Sequence, residues 1–442
     1  MKSRNNFAVE DSPIWGSQVG SHVQWGQSDS LLYYNSLSNH SHFHPEVSGI
    51  AFNVVSGERK ILDCPIYHIS PDGRWGICPN LSMIHRTQRG YGIDSETVRK
   101  SLKLNDEAIS SSIADDGIYI TDLKSGKCRL LVSLRKFIEA AGLSLVTPTF
   151  GFHTKWSSDG SRILCVIRTL ENATTSSSST GAWTLSRIWN ELTKARSQVR
   201  VQHLFVVYIN SSSSTSQCFP GQDIVHESEY KVQYILSWAS QAFSFRQRQN
   251  SVPRIISIPD GNHPNWVANT NIISMNLEIQ QKKKETTTLL RQWSVVVLDT
   301  DRMNSCTNRS RHNFVDTHTP HVIPLSLWRK YVNISQFGAD NQFMPDLFSQ
   351  VVNNGKIFKG RRHCELFAIE VFPLGTGHPH FNSGGRYLFL DAYAKERDLV
   401  VAHATAPHRG SLSPLLLPDK IPLKIVDILL QQEVWLMQVR YL

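Results

Sequence analysis

The sequence lacks the features that mark several common classes of protein. No run of about 18 apolar residues occurs, so no membrane-spanning helix is expected. The first residues, 1–7, contain no apolar stretch of the kind found in a secretory signal. Charged residues make up 19% of the chain and hydrophobic residues 40%. This composition excludes a disordered polyampholyte and is sufficient for a buried core.

Cysteine motifs are also missing. The seven cysteines are widely spaced along the 442 residues, and no C-x-x-C occurs. This spacing indicates neither a zinc ribbon nor a disulfide framework. Cys165 stands in an apolar run, where cysteine behaves as a small hydrophobe. We therefore expect reduced thiols and a cytoplasmic location.

Motifs for nucleotide binding and for common hydrolases are absent: there is no P-loop, G-x-G-x-x-G, G-x-S-x-G or H-E-x-x-H. The charge balance is basic, with 46 Lys and Arg against 37 Asp and Glu, a net charge of +9. An excess of this sign favours an acidic partner such as a polyanionic saccharide, a nucleic acid or an anionic membrane surface. Of these we expect an acidic oligosaccharide, with a protein as the other candidate partner, and no nucleic acid.

What the sequence does contain is a repeat. Each unit is a short strand ending in a bulky apolar residue, then a Ser/Asp/Gly turn, then a β-rich strand; the first strands end at Trp25, Ile69, Trp156, Trp266 and Phe381. The S-x-D-G pattern is turn chemistry, because Asp bonds to nearby backbone amides and Gly accepts a positive φ. Second hairpins follow at 49–62 and 117–131, and a third begins at 295–300.

Two hairpins per unit make four strands, the composition of a propeller blade. The repeat predicts an all-β, six- or seven-bladed β-propeller with four-stranded antiparallel blades over 15–410. Residues 201–208 and 314–369 are candidates for further blades. Serine-rich insertions lie near 172–200 and 210–222, with a short helix predicted at 188–194, and 411–442 form a divergent C-terminal segment. An all-β sandwich, or two unrelated β domains, is the alternative.

Histidines recur at fixed places in the repeat. They stand three residues before the terminal apolar residue at His22, His153, His263 and His378, and one residue before it at His68 and His380. These two positions face the same side of a strand, and first strands line the channel of a propeller. Converging imidazoles suit a transition-metal ion, and the alternative is polar residues held by ordinary partners near a channel mouth.

A second cluster occupies residues 84–92, where His85, Arg86, Arg89 and Tyr91 lie in a glycine-punctuated stretch. Arginine forks match carboxylates bidentately, and tyrosine stacks on sugar faces. The stretch therefore predicts substrate contacts. A loop anchored by arginine salt bridges is the alternative.

At residues 69–75 and 377–387 the chain resembles TolB-like and WD40-like propeller repeats, and within that set the oligogalacturonate lyases. The resemblance implies a seven-bladed propeller with an axial divalent metal, manganese, and β-elimination of uronate oligosaccharides. It implies metal ligands at His378, His380, His263 and His153, with Arg86 or Arg89 as catalytic base.

Substrate contacts are predicted at His85, Tyr91, His22 and His68. Gly375 stands where the family has a glutamine ligand. The stretch 15–18, with 24–25 and 85–91, is also similar to uncharacterised bacterial propellers. The alternative function is a non-catalytic propeller that binds a protein or glycan on its channel face.

Overall fold

The structure is a computed structural model. It describes residues 22–37, 47–87, 91–92, 114–145, 147–172, 198–209, 230–240, 261–282, 289–303, 321–328, 330, 332, 343–353, 367–373, 377–382, 387–391 and 399–403. These ranges leave out 173–197 of the first insertion, the second insertion at 210–222, the helix predicted at 188–194, and the segment 411–442. No helix within these ranges is both long and apolar enough to cross a bilayer.

The chain divides into two compact units. The first unit comprises Met1–Asp260 with Ser310–Thr319, and the second comprises Gly261–Arg309 with Pro320–Leu442. The prediction of one propeller domain over 15–410 stays a prediction.

The first unit contains three four-stranded antiparallel sheets, each formed by consecutive strands. The first sheet comprises β1 (Gln24–Trp25), β2 (Leu31–Leu37), β3 (Val47–Asn53) and β4 (Arg59–Ile61). The second comprises β5 (His68–Ile69), β6 (Trp75–Pro79), β7 (Gly117–Asp122) and β8 (Cys128–Ser133). The third comprises β9 (Thr149–Trp156), β10 (Arg162–Asn172), β11 (Gln198–Ile209) and β12 (Tyr230–Ser240).

Among the described residues, two helices accompany these sheets: α1 (Leu81–Thr87) follows β6, and α2 (Leu134–Ala141) follows β8. The apolar face of α2 buries Leu134, Phe137 and Ile138 in one core with residues of the second and third sheets. A helix with one apolar stripe is stabilised mainly by such packing. Gly142 ends α2 in the left-handed conformation, and its amide donates to the Glu139 carbonyl.

The described residues of the second unit form two sheets. One holds β13 (Gly261–Trp266), β14 (Ile272–Lys282), β15 (Leu289–Asp299), β16 (His321–Ile323) and β17 (Phe367–Pro373); the other holds β18 (His380–Phe381), β19 (Tyr387–Asp391) and β20 (Leu399–His403). The helices are α3 (Thr300–Met303), α4 (Leu325–Trp328) and α5 (Phe343–Asn353).

One sheet of the second unit departs from the predicted blade, because it has five strands and one parallel pair. Strand β16 pairs parallel with β17, and α4 and α5 lie between them in the chain. Parallel neighbours need a crossover connection, which this helical segment supplies. Among the described residues, neither 201–208 nor 314–369 forms a separate sheet: the former lies within β11, and β16 and β17 join this sheet.

The two predicted S-x-D-G turns between first and second strands, at 70–73 and 157–160, are confirmed. The Ser157 hydroxyl donates to Asp159 Oδ1 at 2.6 Å and accepts from the Arg162 amide at 3.0 Å. The corresponding hydroxyl of Ser70 bonds to Asp72 and accepts from the Trp75 amide at 2.9 Å. The glycine that follows each aspartate has a positive φ, 64° at Gly73 and 71° at Gly160. The S-x-D-G signal therefore marked real strand boundaries.

The cysteine prediction is wrong at one pair. Cys64, between β4 and β5, forms a disulfide with Cys128 at the start of β8, with a Cα–Cα distance of 5.7 Å. Beside it, Lys127 Nζ lies 3.5 Å from Asp63 Oδ2. The pairing has no sequence motif because neighbouring sheets bring together residues 64 apart. The expectation of a reducing compartment loses its basis, whereas Cys78 and Cys165 are buried thiols, as expected for small hydrophobes.

Candidate functional site

Three first strands of the first unit carry a polar cluster. In β9 the side chains alternate, so Thr154 and Trp156 are buried while His153 and Lys155 are partly exposed on the other face. His68 of β5 and His22, just before β1, are also partly exposed. We call His22, Tyr67, His68, His153 and Lys155 the histidine–lysine site.

Tyr67 is the centre of this site. Its ring stacks on the imidazole of His22 with centroids 4.5 Å apart, and its hydroxyl is hydrogen-bonded to His153 Nδ1. The His68 Nδ1 atom accepts from the Trp156 backbone amide at 3.2 Å, so the proton of its neutral ring is on Nε2. His22 and His153 thus contact the same tyrosine ring, and the predicted convergence of the repeat histidines stays a prediction.

The electrostatics of the site favour neutral imidazoles. Burial, and secondarily the charge of Lys155, lower the pKa of His22 to about 4. Burial, then the charge of Lys155 and then that of His22, lower the pKa of His68 to about 3. Burial alone lowers the pKa of Lys155 to about 8. Burial raises the pKa of Tyr67, which stays a phenol at neutral pH.

Two buried arginines stand behind the site. The Arg168 guanidinium carbon lies 3.0 Å from the centroid of the Phe152 ring, and that ring centroid lies 3.7 Å from the centroid of the His153 ring. Arg168 is 2% exposed and Arg200 is 7% exposed. Burial, and next the charge of Arg200, lower the pKa of Arg168. Two basic side chains are therefore enclosed by protein behind the site.

The residues predicted in 84–92 are only partly described. His85 and Arg86 lie in α1, but their side chains are outside the described set, and Arg89 lies wholly outside it. Tyr91 is described: its ring is partly buried and lies 5.9 Å from the ring of Phe152. The roles of Arg86 and Arg89 as base, and of His85 as a substrate contact, stay predictions.

The second unit has a different histidine cluster. The rings of His263 and His378 stack with centroids 3.8 Å apart and planes at 30°, and we call them the histidine pair. His263 Nδ1 donates to the Gly377 carbonyl at 2.8 Å. His380 Nδ1 lies 3.5 Å from Asn265 Nδ2. Beneath the pair, the Asn276 amide bonds to the Gly377 carbonyl and, at 2.8 Å, to Asn262 Oδ1.

This arrangement does not fit the metal centre that the family resemblance implies. Stacked rings direct their nitrogens away from a common point, and one nitrogen of His263 is already engaged with a carbonyl. In the part of the chain that the structure describes, no three His, Cys, Asp or Glu side chains are grouped to hold a metal ion. A metal-ligating role of His378, His380, His263 and His153 stays a prediction.

The histidines were found from the repeat, whereas Tyr67, Lys155 and Arg168 were missed. Lys155 occurs once, two residues after His153, and has no counterpart in the other copies. Arg168 stands in a run of apolar residues within β10, and a charge in such a run was a usable signal of a buried polar network.

The fold and the site together define an all-β protein of mostly four-stranded antiparallel sheets, consistent with propeller blades, with polar clusters on first strands. No protein-family model and no curated protein sequence matches the chain. It is structurally similar to an acylaminoacyl peptidase from Pyrococcus horikoshii, at 11% identity and a TM-score of 0.27 over 64% of this chain and 30% of that one.

A second similar structure is the β-propeller domain of the Trilobed protease from Pyrococcus furiosus. The identity is 9% and the TM-score 0.25, over 64% of this chain and 54% of that one. The chain therefore spans about a third to a half of the length of these structures. Similarity at this level carries no argument about function, so the proposals that follow rest on the residues themselves.

Proposed function

We propose that the sheets are blades of a six- or seven-bladed β-propeller, and that the histidine–lysine site binds the carboxylate of an acidic oligosaccharide. The observation that carries the proposal is the positive charge at the site: Lys155 is partly exposed there, and Arg168 and Arg200 are buried behind it. Charges in a partly desolvated site attract an anion more strongly than they would in water.

The neutral imidazoles favour a saccharide over an acidic peptide. At pH 7, His22 and His68 are uncharged, so each ring carries one donor and one acceptor nitrogen. Sugar hydroxyls also donate and accept, and they match such groups. Tyr91 adds a partly exposed aromatic ring, on which the apolar face of a sugar packs.

The test is calorimetric titration with trigalacturonate at pH 7, beside its methyl ester as the uncharged counterpart. We expect Lys155→Met to weaken binding of the acid by about tenfold or more, the effect of losing one charge-assisted hydrogen bond. Lys124→Met, at an exposed hairpin tip of the same unit, is the control and should bind normally.

Equal affinity for the acid and the ester would contradict carboxylate recognition. Tighter binding of hexaglutamate than of trigalacturonate would instead favour an acidic protein partner.

A second candidate function is the uronate lyase that the resemblance implies, and one observation favours it. A lysine with a pKa of about 8 is suited to general-base catalysis near neutral pH. In β-elimination, the neutral Lys155 amine would take the proton from the carbon beside the carboxylate, the glycosidic C–O bond would break as a C=C bond forms, and the leaving oxygen would take a proton from solvent water to become a hydroxyl. Turnover would raise the absorbance of unsaturated uronate, and binding without this rise would reject the lyase.

A further inference from the structure

The C-terminal end of α1 is held by two arginines of the third sheet. Arg168 Nη1 donates to the Thr87 hydroxyl at 3.0 Å, and Arg200 Nη1 donates to the Thr87 carbonyl at 2.7 Å. Arg168 Nε also donates to Gln202 Oε1 at 3.1 Å. Thr87 is 8% exposed, and its hydroxyl donates to the Ile84 carbonyl at 2.9 Å. These hydrogen bonds fix the last turn of α1, the helix that follows β6, to strands β10 and β11.

The same contacts reach the candidate site. The Arg168 guanidinium covers one ring, that of Phe152, whose other neighbours are His153 and Tyr91. Gly92, directly after Tyr91, has a φ of 72°, and a Cβ there would lie 2.6 Å from the Leu81 carbonyl. The chain therefore turns back against the start of α1 at this point, and only glycine fits the turn without strain.

We infer that Arg168 and Arg200 are positioning residues, which hold Thr87 and so place the Tyr91 ring beside Phe152 as a stacking surface for the second sugar of the ligand. This inference rests on the proposed function. Neither arginine need touch the ligand, since each is nearly enclosed by protein. Buried charged hydrogen bonds of this kind fix geometry because breaking one leaves a desolvated charge without its partner.

The test compares Thr87→Val with Thr87→Ser. Valine matches threonine in shape but cannot bond to Arg168, whereas serine keeps the hydroxyl. We expect Thr87→Val to weaken binding of trigalacturonate by about tenfold and to leave binding of monomeric galacturonate unchanged, with Thr87→Ser close to the parent chain. A general loss of structure would weaken the binding of both ligands equally. Thermal unfolding of each variant measures how much of the protein is folded.

Combining Thr87→Val with Tyr91→Ala should weaken trimer binding no further than Tyr91→Ala alone, because both changes remove one stacking surface. Additive losses, or unchanged trimer affinity in Thr87→Val, would overturn the inference. Should the parent chain bind neither ligand, the proposed function fails, and the inference is then judged by the ring-proton resonances of Tyr91. They should shift in Thr87→Val and not in Thr87→Ser.

Discussion

His22 and His263 occupy the same place in the repeat, three residues before the aromatic residue that ends the first strand. Both have a left-handed backbone, with φ of 44° and 51°. Their neighbours differ: His22 stacks on Tyr67 in a site with a lysine, and His263 stacks on His378 above an asparagine network. The repeat thus copied position and backbone, while the chemistry differs because the ring beside each histidine differs, Tyr67 in one unit and His378 in the other.

The two units also differ in the interactions that join their secondary-structure elements. The first unit has the Cys64–Cys128 disulfide and buried cations. The second has Glu370, 4% exposed, which accepts from the Ser294 hydroxyl at 2.6 Å and the Leu325 amide at 2.8 Å. Its carbonyl accepts from the Trp328 indole at 2.8 Å, which ties α4 to β17. The predictions below separate these two solutions.

The largest expected effect is the loss of stability that follows removal of the disulfide. Replacing both Cys64 and Cys128 with serine should lower the free energy of unfolding of the first unit by about 4 kcal/mol, because a cross-link over a long loop restricts the unfolded chain. Urea unfolding checks this, with Cys78→Ser as the control for loss of a thiol. An unchanged urea midpoint for the double variant would contradict it.

The next largest expected effect is a loss of stability of the second unit when Glu370 is replaced. Glu370→Ala should lower its free energy of unfolding by about 3 kcal/mol, since the Ser294 hydroxyl and the Leu325 amide lose their acceptor. Glu370→Gln keeps one acceptor oxygen and should lose less. Hydrogen exchange of α4 amides is the local measurement, and equal exchange in all three proteins would refute the assignment.

A smaller expected effect is a loss of stability of the first unit at acid pH, caused by two histidines of the histidine–lysine site. The folded-state pKa values of His22 and His68, about 4 and about 3, lie below the 6.5 of the unfolded chain. As pH falls below 6.5, the unfolded chain therefore takes up protons that the folded chain does not. The first unit should lose roughly 2 kcal/mol per histidine by pH 4, after allowance for solvent screening. The His68→Gln variant should lack the part of this loss that is due to His68. Parallel profiles of the free energy of unfolding against pH for the variant and the parent chain would disprove this prediction.

The smallest effect tests the shared backbone geometry. At both His22 and His263, the glycine variant should be more stable than the alanine variant by about 1 kcal/mol, because alanine must keep the positive φ at a steric cost. Thermal unfolding of the four variants measures the difference. A preference for alanine at either position would show that its left-handed backbone is not required.

The sequence predicted the strands and turns well, because the S-x-D-G turn and the alternation of β9 are local signals. It placed His22 and His153 at related positions, and both side chains contact Tyr67. It missed the disulfide, whose cysteines are 64 residues apart and share no motif. It also missed Lys155 as the partner of the histidines, because that partnership depends on packing between sheets rather than on spacing along the chain.

Lysine side-chain NMR of the parent protein, with and without trigalacturonate, tests the central claim most directly. Burial predicts that Lys155 titrates near pH 8 in the free protein, and a bound carboxylate should raise that pKa, since the opposite charge favours the ammonium form. A Lys155 pKa near the ordinary lysine value, unchanged by the trimer, would contradict an anion site built on this residue.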